Sequence, residues 1–380
     1  MKPIYLDYNA TTPIDSMVAE AMLPFIHEHF GNPSSSHVFG AIAREAVEHS
    51  RRRVAEMLGC RAEEIVFTSG GSESNNYAIK GAAFAAASRG DHIITSTIEH
   101  PAVLEVCRFL ADKGFRITYL PVDEHGIVDP EQVERAITPK TILVSIMHAN
   151  NEVGTVEPIG EIAEIVHHRG VLFHTDAAQS IGKIPVNVEE LGVDLLSVAG
   201  HKLYAPKGIG ALYIRSGTQL EKLIHGANHE MNLRAGTENT IHIVGLGEAC
   251  QIIHGNLRTY RQHMQIMRDR LEAGLMAKFP DIRINGHPSA RLPNTSSISF
   301  RAMAANSLIS ALTDVAVSAG AACHSDHMDI SSVLKAMHVP VEYAMGTIRF
   351  SVGRYTVPED IDRAVERVTR AVGKIRTGPY

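Results

Sequence analysis

The chain has 380 residues, 44% of them hydrophobic and 21% charged, with a formal net charge of -6. That composition suits a globular fold with a sizeable core rather than a disordered chain, and the acidic balance argues against a nucleic-acid surface as its main business. No run approaches the roughly 18 apolar residues of a membrane-spanning helix.

The opening MKPIYLDYNATTP meets Asp7 and a turn-rich stretch before any long apolar run, unlike a secretory signal peptide. Residues 1 to about 14 read as an extended arm, followed by a helix from about Ser16 to His29. Next come the turn formers Gly31 to His37 and an amphipathic helix from about Ala41 to Leu58. From Glu64 onward strand and helix signals alternate. Strands are expected near 64–68, 92–96, 116–120, 141–146, 171–175, 194–198 and 210–214, with helices near 72–87, 101–113, 130–137 and 159–169. This is the pattern of an α/β protein with a mostly parallel sheet covered on both faces. Long helical periodicity from about 240 to 278 leads into a stretch of short strands and helices. The expected division is a large domain, 15–257, and a smaller α+β domain built from 1–14 and 258–380.

Four cysteines, Cys60, Cys107, Cys250 and Cys323, contain no C-x-x-C pair and make no disulfide framework, which points to a reducing cytoplasm. There are 21 histidines but no H-E-x-x-H, and no metal site is expected.

Two loops carry the central chemistry. The apolar runs 171–173 and 193–198 end in HTDAAQ and GHKLYAPKG, which deliver Asp176 and Lys202. A carboxylate and an amine at the carboxyl ends of two strands of one sheet face the crevice where open α/β sheets bind ligands. The pair suits pyridoxal 5'-phosphate, with Lys202 holding its aldehyde and Asp176 keeping its ring nitrogen protonated. Thr68-Ser69-Gly70-Gly71-Ser72-Glu73 follows a strand and opens a helix, a seat for the phosphate or a plain glycine turn. His100, where a strand gives way to a helix, has the pKa to shuttle a proton. Asn151, in HANNEVG, is either a ligand contact or part of an Asx turn. Cys323 follows the small-residue run SAGAA and precedes a polar segment, as an exposed thiol nucleophile would. Arg349, inside the apolar run GTIRF, needs an anionic partner, either a substrate carboxylate or a structural ion pair.

These stretches together resemble the cysteine desulfurases of iron–sulfur cluster assembly, group I, within the class V aminotransferases and the fold-type I pyridoxal-phosphate enzymes. The matching segments are YLDYNATTP, FGNPSSSH, FTSGGSESNNYAIKG, EHPAVL, HANNEVGT, FHTDAAQSIGK, GHKLYAPKGIGALY, RAGTENT, SAGAACHSD and GTIRFSVGRYT, spread over nearly the whole chain. The resemblance implies Lys202 and Cys323 as catalytic residues, with His100 stacked on the cofactor ring. It implies Asn151 and Gln179 touching the cofactor, and Gly71, Ser72 and His201 near its phosphate. Thr237 would reach the phosphate of a second subunit, so a homodimer comes with it. Arg349 and Asn32 would contact the substrate.

The activity implied is conversion of L-cysteine to L-alanine, with the sulfur kept as a persulfide on Cys323 for an acceptor protein such as an iron–sulfur scaffold. A selenocysteine lyase or cysteine β-lyase on the same fold is the nearer alternative, and a non-catalytic sulfur-trafficking protein the remoter one. The chain departs from the family at Gly226-Ala227-Asn228, at Met231-Asn232 where glycine is frequent, and at Ala199 where serine is frequent.

Overall fold

The structure, a computed structural model, describes residues 3–320 and 330–377 and, between them, the backbone of 323–324 and 327–328. In chain order the first part comprises β1 (Ile4–Tyr5), α1 (Ser16–His27), α2 (Val38–Leu58), β2 (Ile65–Thr68), α3 (Gly71–Ala85), β3 (His92–Ser96), α4 (Pro101–Asp112), β4 (Arg116–Leu120), α5 (Pro130–Ala136) and β5 (Thr141–Ser145). It continues with α6 (Ile159–His168), β6 (Leu172–Asp176), α7 (Val188–Leu191), β7 (Leu195–Ala199), β8 (Gly210–Ile214) and α8 (Thr240–Met276).

One seven-stranded sheet has the order β2-β8-β7-β6-β5-β3-β4. Only β8 is antiparallel to its neighbours, β2 and β7, and the remaining pairs are parallel. Six strands therefore point the same way and end on one edge. Their sequences explain the placement: HIITS, TILVS and LLSVA are buried along their whole length, as strands covered on both faces must be. Edge strand β4, RITYL, is partly open. Inside the sheet, buried His174 finds partners in Ser145 Oγ at 2.8 Å and Ser197 Oγ at 3.0 Å.

Separate apolar clusters cover the two faces. One gathers side chains of α2, α6 and the first half of α8, and the other those of α3 and α4. The expected strands and helices are all present, with the second helix beginning at Val38, where His37 accepts the Gly40 N–H.

The remaining residues build β9 (Ile282–Asn285), β10 (Thr295–Phe300), α9 (Ala305–Ala311), β11 (Val315–Ala316), β12 (Ser318–Ala319), α10 (Ser332–Ala336), α11 (Val341–Ala344), β13 (Thr347–Ser351) and α12 (Pro358–Thr377). Strands β12, β13, β10 and β9 form an antiparallel sheet in that order. The N-terminal arm joins this part through parallel pairing of β1 with β11. Residue 258 lies inside the unbroken α8: Ile243 to Ile253 pack in the large core, while Met264 to Leu275 pack with Phe300 and Phe350 in the smaller one.

The segment 226–232 has a distinct backbone. Glu230, Met231 and Asn232 take φ of 45°, 56° and 65°, a left-handed run that L-residues adopt at a cost. Glu230 is buried and pins the turn, accepting two 2.8 Å hydrogen bonds from Arg51 and one of 2.7 Å from the Phe67 N–H.

Candidate active site

Five of the strand-end loops converge on one cavity of about 370 Å³, within the roughly 300–1,000 Å³ usual for small-molecule sites. Gly71, Ser72, His100, Asn151, Asp176, Gln179, His201 and Lys202 line it together. The physical reason is the shared strand direction, which delivers every loop to the same edge.

The Ser69–Glu73 loop forms one wall. Gly70 has φ +150° and ψ -179°, a conformation essentially restricted to glycine, and nothing lies within 4 Å of where a Cβ would be. The turn thus stays open while α3 begins at Gly71 with its amino end on the cavity. Glu73 closes the outer side: its carboxylate accepts the Ser69 N–H at 2.7 Å and pairs with Arg234 at 2.9 Å. Ala199 sits directly beneath, 3.1 Å from a Cβ placed on Gly71.

Asp176 ends β6 and is buried. Its Oδ1 accepts the Ala178 N–H at 2.8 Å and its Oδ2 accepts Asn75 Nδ2 at 2.7 Å, so the carboxylate is held rigidly. Asn75 Oδ1 is left without a partner among the described residues. In the same cavity, Lys202 Nζ donates to the Asn9 carbonyl at 2.7 Å. Burial lowers the Lys202 pKa from 10.5 to about 8; nearby Arg349 adds to the fall, while Asp176 and Asp7 oppose it.

His100 caps α4, its Nδ1 accepting the Ala102 N–H at 3.1 Å. In the neutral ring the proton is therefore on Nε2. Burial keeps that ring below its ordinary pKa, against the pull of Asp176 and with the help of Lys202. Its chain neighbour Glu99 is buried, accepting from Ser96 Oγ and the Met147 N–H, and burial raises its pKa to about 8. His201 Nδ1 meets Thr11 Oγ1 at 3.2 Å, and burial, then Lys202, lowers its pKa to about 4. The Asx turn foreseen near Asn151 belongs to Asn150, whose Oδ1 accepts the Glu152 and Val153 N–H groups. That leaves the Asn151 side chain to line the cavity.

Arg349 finds its anion within the chain. It donates to Asp7 Oδ1 at 2.9 Å, Ser318 Oγ at 3.1 Å and the Asn151 carbonyl at 2.9 Å, while its Nε has no partner among the described residues. Arg349, Asn32 and Thr237 are not among the cavity-lining residues; Asn32 and Thr237 are exposed, and Asn32 caps the Ser34 N–H. The Cys323 side chain lies outside the described residues.

The motifs left unassigned by the sequence reading supply much of the support. Asp7, Asn9 and Thr11 of the arm, Asn75 on α3, Glu99 and Lys183 all touch the residues that line the cavity or their partners. Their one visible signal was polar residues in stretches otherwise patterned for burial.

This donor set fits pyridoxal phosphate. A glycine loop at a helix amino end suits a phosphate, a fixed carboxylate suits a ring nitrogen, and an amine of depressed pKa suits an aldehyde. A family model described as Aminotransferase class-V matches residues 4–364. The chain belongs to the class-V aminotransferase family. It is 50% identical over 382 residues to the cysteine desulfurase IscS of Dictyoglomus turgidum, covering 100% of this chain and 97% of the relative. With the cysteine desulfurase IscS of Methanosarcina thermophila it shares 47% over 377 residues, 99% of this chain and 93% of that one. The family also fits in three dimensions. A solved NifS-like protein superposes with a TM-score of 0.92 at 39% identity, covering 98% of this chain and 99% of its own. A structure described as SspA in complex with cysteine gives 0.82 at 38% identity, over 93% of this chain and 100% of that one. Within the class-V aminotransferases the chain therefore groups with the cysteine desulfurases, as its motifs implied.

Proposed function

We propose that this protein is a pyridoxal-phosphate-dependent cysteine desulfurase that converts L-cysteine to L-alanine and retains the sulfur as a persulfide on Cys323. The observation that carries the reading is that Lys202 and Asp176 line one cavity together, on a chain related over its full length to cysteine desulfurases.

Lys202 would carry the cofactor, Asp176 would hold its ring nitrogen, and His100 would cover the ring. Gly71, Ser72 and His201 would take the phosphate, joined by Thr237 of a second copy, with Asn151 and Gln179 against the ring. Bound there, the cofactor supplies an electron sink for the substrate α-carbon. Arg349, aided by Asn32, orients the substrate carboxylate. Lys202, neutral above about pH 8, accepts the α-proton. Cys323 attacks the substrate sulfur as a thiolate: a sulfur–sulfur bond forms and the carbon–sulfur bond breaks. The electron pair left on the β-carbon collects a proton with His100 as partner, Lys202 returns its proton to the α-carbon, and alanine departs.

The protein is further proposed to act as a cytoplasmic homodimer delivering sulfur to an acceptor protein, an iron–sulfur scaffold being the one the family suggests. Among the described residues no helix is long and apolar enough to cross a membrane. The division at residue 258, with 1–14 and 258–380 as the smaller domain, is proposed on the same footing, supported by the two cores that share α8. The decisive experiment replaces Cys323 by Ala and measures alanine formed from cysteine. Loss of alanine is expected, and undiminished alanine would favour a lyase that releases free sulfide.

A further inference from the structure

Beside the cavity the chain buries a second lysine. Lys183 is 4% exposed, and the carboxylates of the site are committed elsewhere, Asp176 to Asn75 and Asp7 to Arg349. Its Nζ donates instead to two neutral amide oxygens, Asn9 Oδ1 at 2.9 Å and Gln179 Oε1 at 2.7 Å. Burial, and then the charges of Lys202 and Arg349, hold its pKa well below the ordinary lysine value. A neutral amine has two N–H donors, and these two oxygens take both.

Asn9 is the hub of this arrangement. It is fully buried, and each of its polar groups is engaged. Its carbonyl accepts Lys202 Nζ at 2.7 Å and Gln179 Nε2 at 3.0 Å. Its Oδ1 accepts Lys183 Nζ and, at 2.9 Å, Asn294 Nδ2. Its Nδ2 donates to Thr295 Oγ1 at 2.8 Å and to the Asn151 carbonyl at 3.2 Å, and its N–H donates to Ser351 Oγ at 2.9 Å. Two donors on one side of the amide and two acceptors on the other leave a single orientation that satisfies all of them. The Asn151 carbonyl also accepts Arg349, so one residue of the N-terminal arm ties the amine to the guanidinium.

We propose that Asn9 and Lys183 are positioning residues for the Lys202 amine: Lys183 clamps the Asn9 amide, and the Asn9 carbonyl holds Lys202 where it exchanges a proton with the substrate. An amine that donates one N–H to a fixed carbonyl has its lone pair aimed, and aim is what proton transfer to carbon demands. Lys183 touches none of the reacting atoms, and Asn9 acts on the chemistry only by holding the Lys202 amine. The inference rests on the role proposed above for Lys202.

Exchange of the α-hydrogen of L-alanine for deuterium, followed by proton NMR in D2O, tests it, because that exchange uses Lys202 and does not need Cys323. The full-length protein reconstituted with pyridoxal phosphate is compared with Lys183→Met, which keeps an unbranched side chain one atom shorter and removes its N–H groups, and with Asn9→Ser. The visible cofactor band and the alanine concentration at half-maximal rate should stay within about twofold, while the maximal exchange rate falls about 10- to 100-fold in both variants. A purely structural role would instead lower thermal stability and cofactor occupancy together with, or in place of, the rate. Exchange within twofold of the unsubstituted protein overturns the proposal, as does loss of the cofactor band in both variants. If the unsubstituted protein itself takes up no cofactor or exchanges no alanine, the role of Lys202 falls and this inference with it, an outcome distinct from the other two.

Discussion

Arg349 and Asp7, 342 positions apart in the chain, form an ion pair at 2.9 Å with side chains only 11% and 17% exposed. The pair clips the N-terminal arm to β13 and presents the guanidinium already oriented, since Ser318 Oγ shares the nitrogen that meets Asp7 and the Asn151 carbonyl holds the other terminal nitrogen. In the role proposed for Arg349, a substrate carboxylate would share the guanidinium with Asp7. Arg349→Lys, which keeps the charge and loses the fork, should raise KM for cysteine about 10- to 100-fold, the worth of a charge-assisted hydrogen bond of about 1.5–3 kcal/mol, with kcat changed far less. Asp7→Asn should lower KM. Steady-state kinetics on both variants checks this, and a fall in kcat with KM unchanged would speak against it.

Lys202 gives the site a pH dependence of known sign. Burial moves its pKa down from 10.5 to about 8, so the amine becomes neutral and nucleophilic as pH rises through about 8 rather than through the ordinary lysine range. The rate at which cofactor-free protein takes up pyridoxal phosphate, followed by absorbance, should climb between about pH 7 and 9. Arg349 is the largest charge lowering this pKa, so Arg349→Gln should shift the midpoint upward. A midpoint near that of free lysine in the unsubstituted protein would contradict the assignment.

Sulfur should be carried by one thiol. Burial pushes the thiols of Cys60, Cys107 and Cys250 up to about 12, which leaves them protonated and inert near neutral pH. Incubation with cysteine followed by alkylation and peptide mass spectrometry should find the extra sulfur on Cys323 alone. Extra sulfur on any of the other three would show that a different thiol takes part.

The left-handed run at 230–232 makes a stability prediction. Met231 is 45% exposed at φ 56°, where a side chain brings strain and little burial. Met231→Gly should stabilise the protein by about 1 kcal/mol in chemical denaturation. Glu230→Ala should destabilise it by about 3 kcal/mol, because buried Arg51 would lose its buried carboxylate and keep only the half-exposed Glu48, at 3.2 Å, as counter-charge. Equal effects of the two substitutions would mean that the turn is held by something other than the Arg51–Glu230 pair.

Much of the site was legible because each strand and the loop that follows it are contiguous in the chain. The apolar run ahead of Asp176 and the one ahead of Lys202 both predict a strand, and in a sheet of parallel strands the residues just past their ends share one edge. His100, Asn151 and the Gly70–Gly71 turn were readable for the same reason. Arg349 was read as a residue in need of an anion, but its partner was invisible: nothing local to GTIRF points to Asp7.

What the sequence by itself determined is the order of strand-end loops and the chemical group each one carries, since apolar periodicity and turn chemistry act over a few residues. What only the tertiary structure decided is how those groups are held. Asn9 meets Lys183, Lys202 and Asn294 across separations of 174, 193 and 285 residues. Hydrogen bonds of that span depend on the packing of the arm between two sheets, and on the register of β1 against β11, which no local pattern encodes. The buried polar network exists because folding withdraws those groups from water together, so that they satisfy one another.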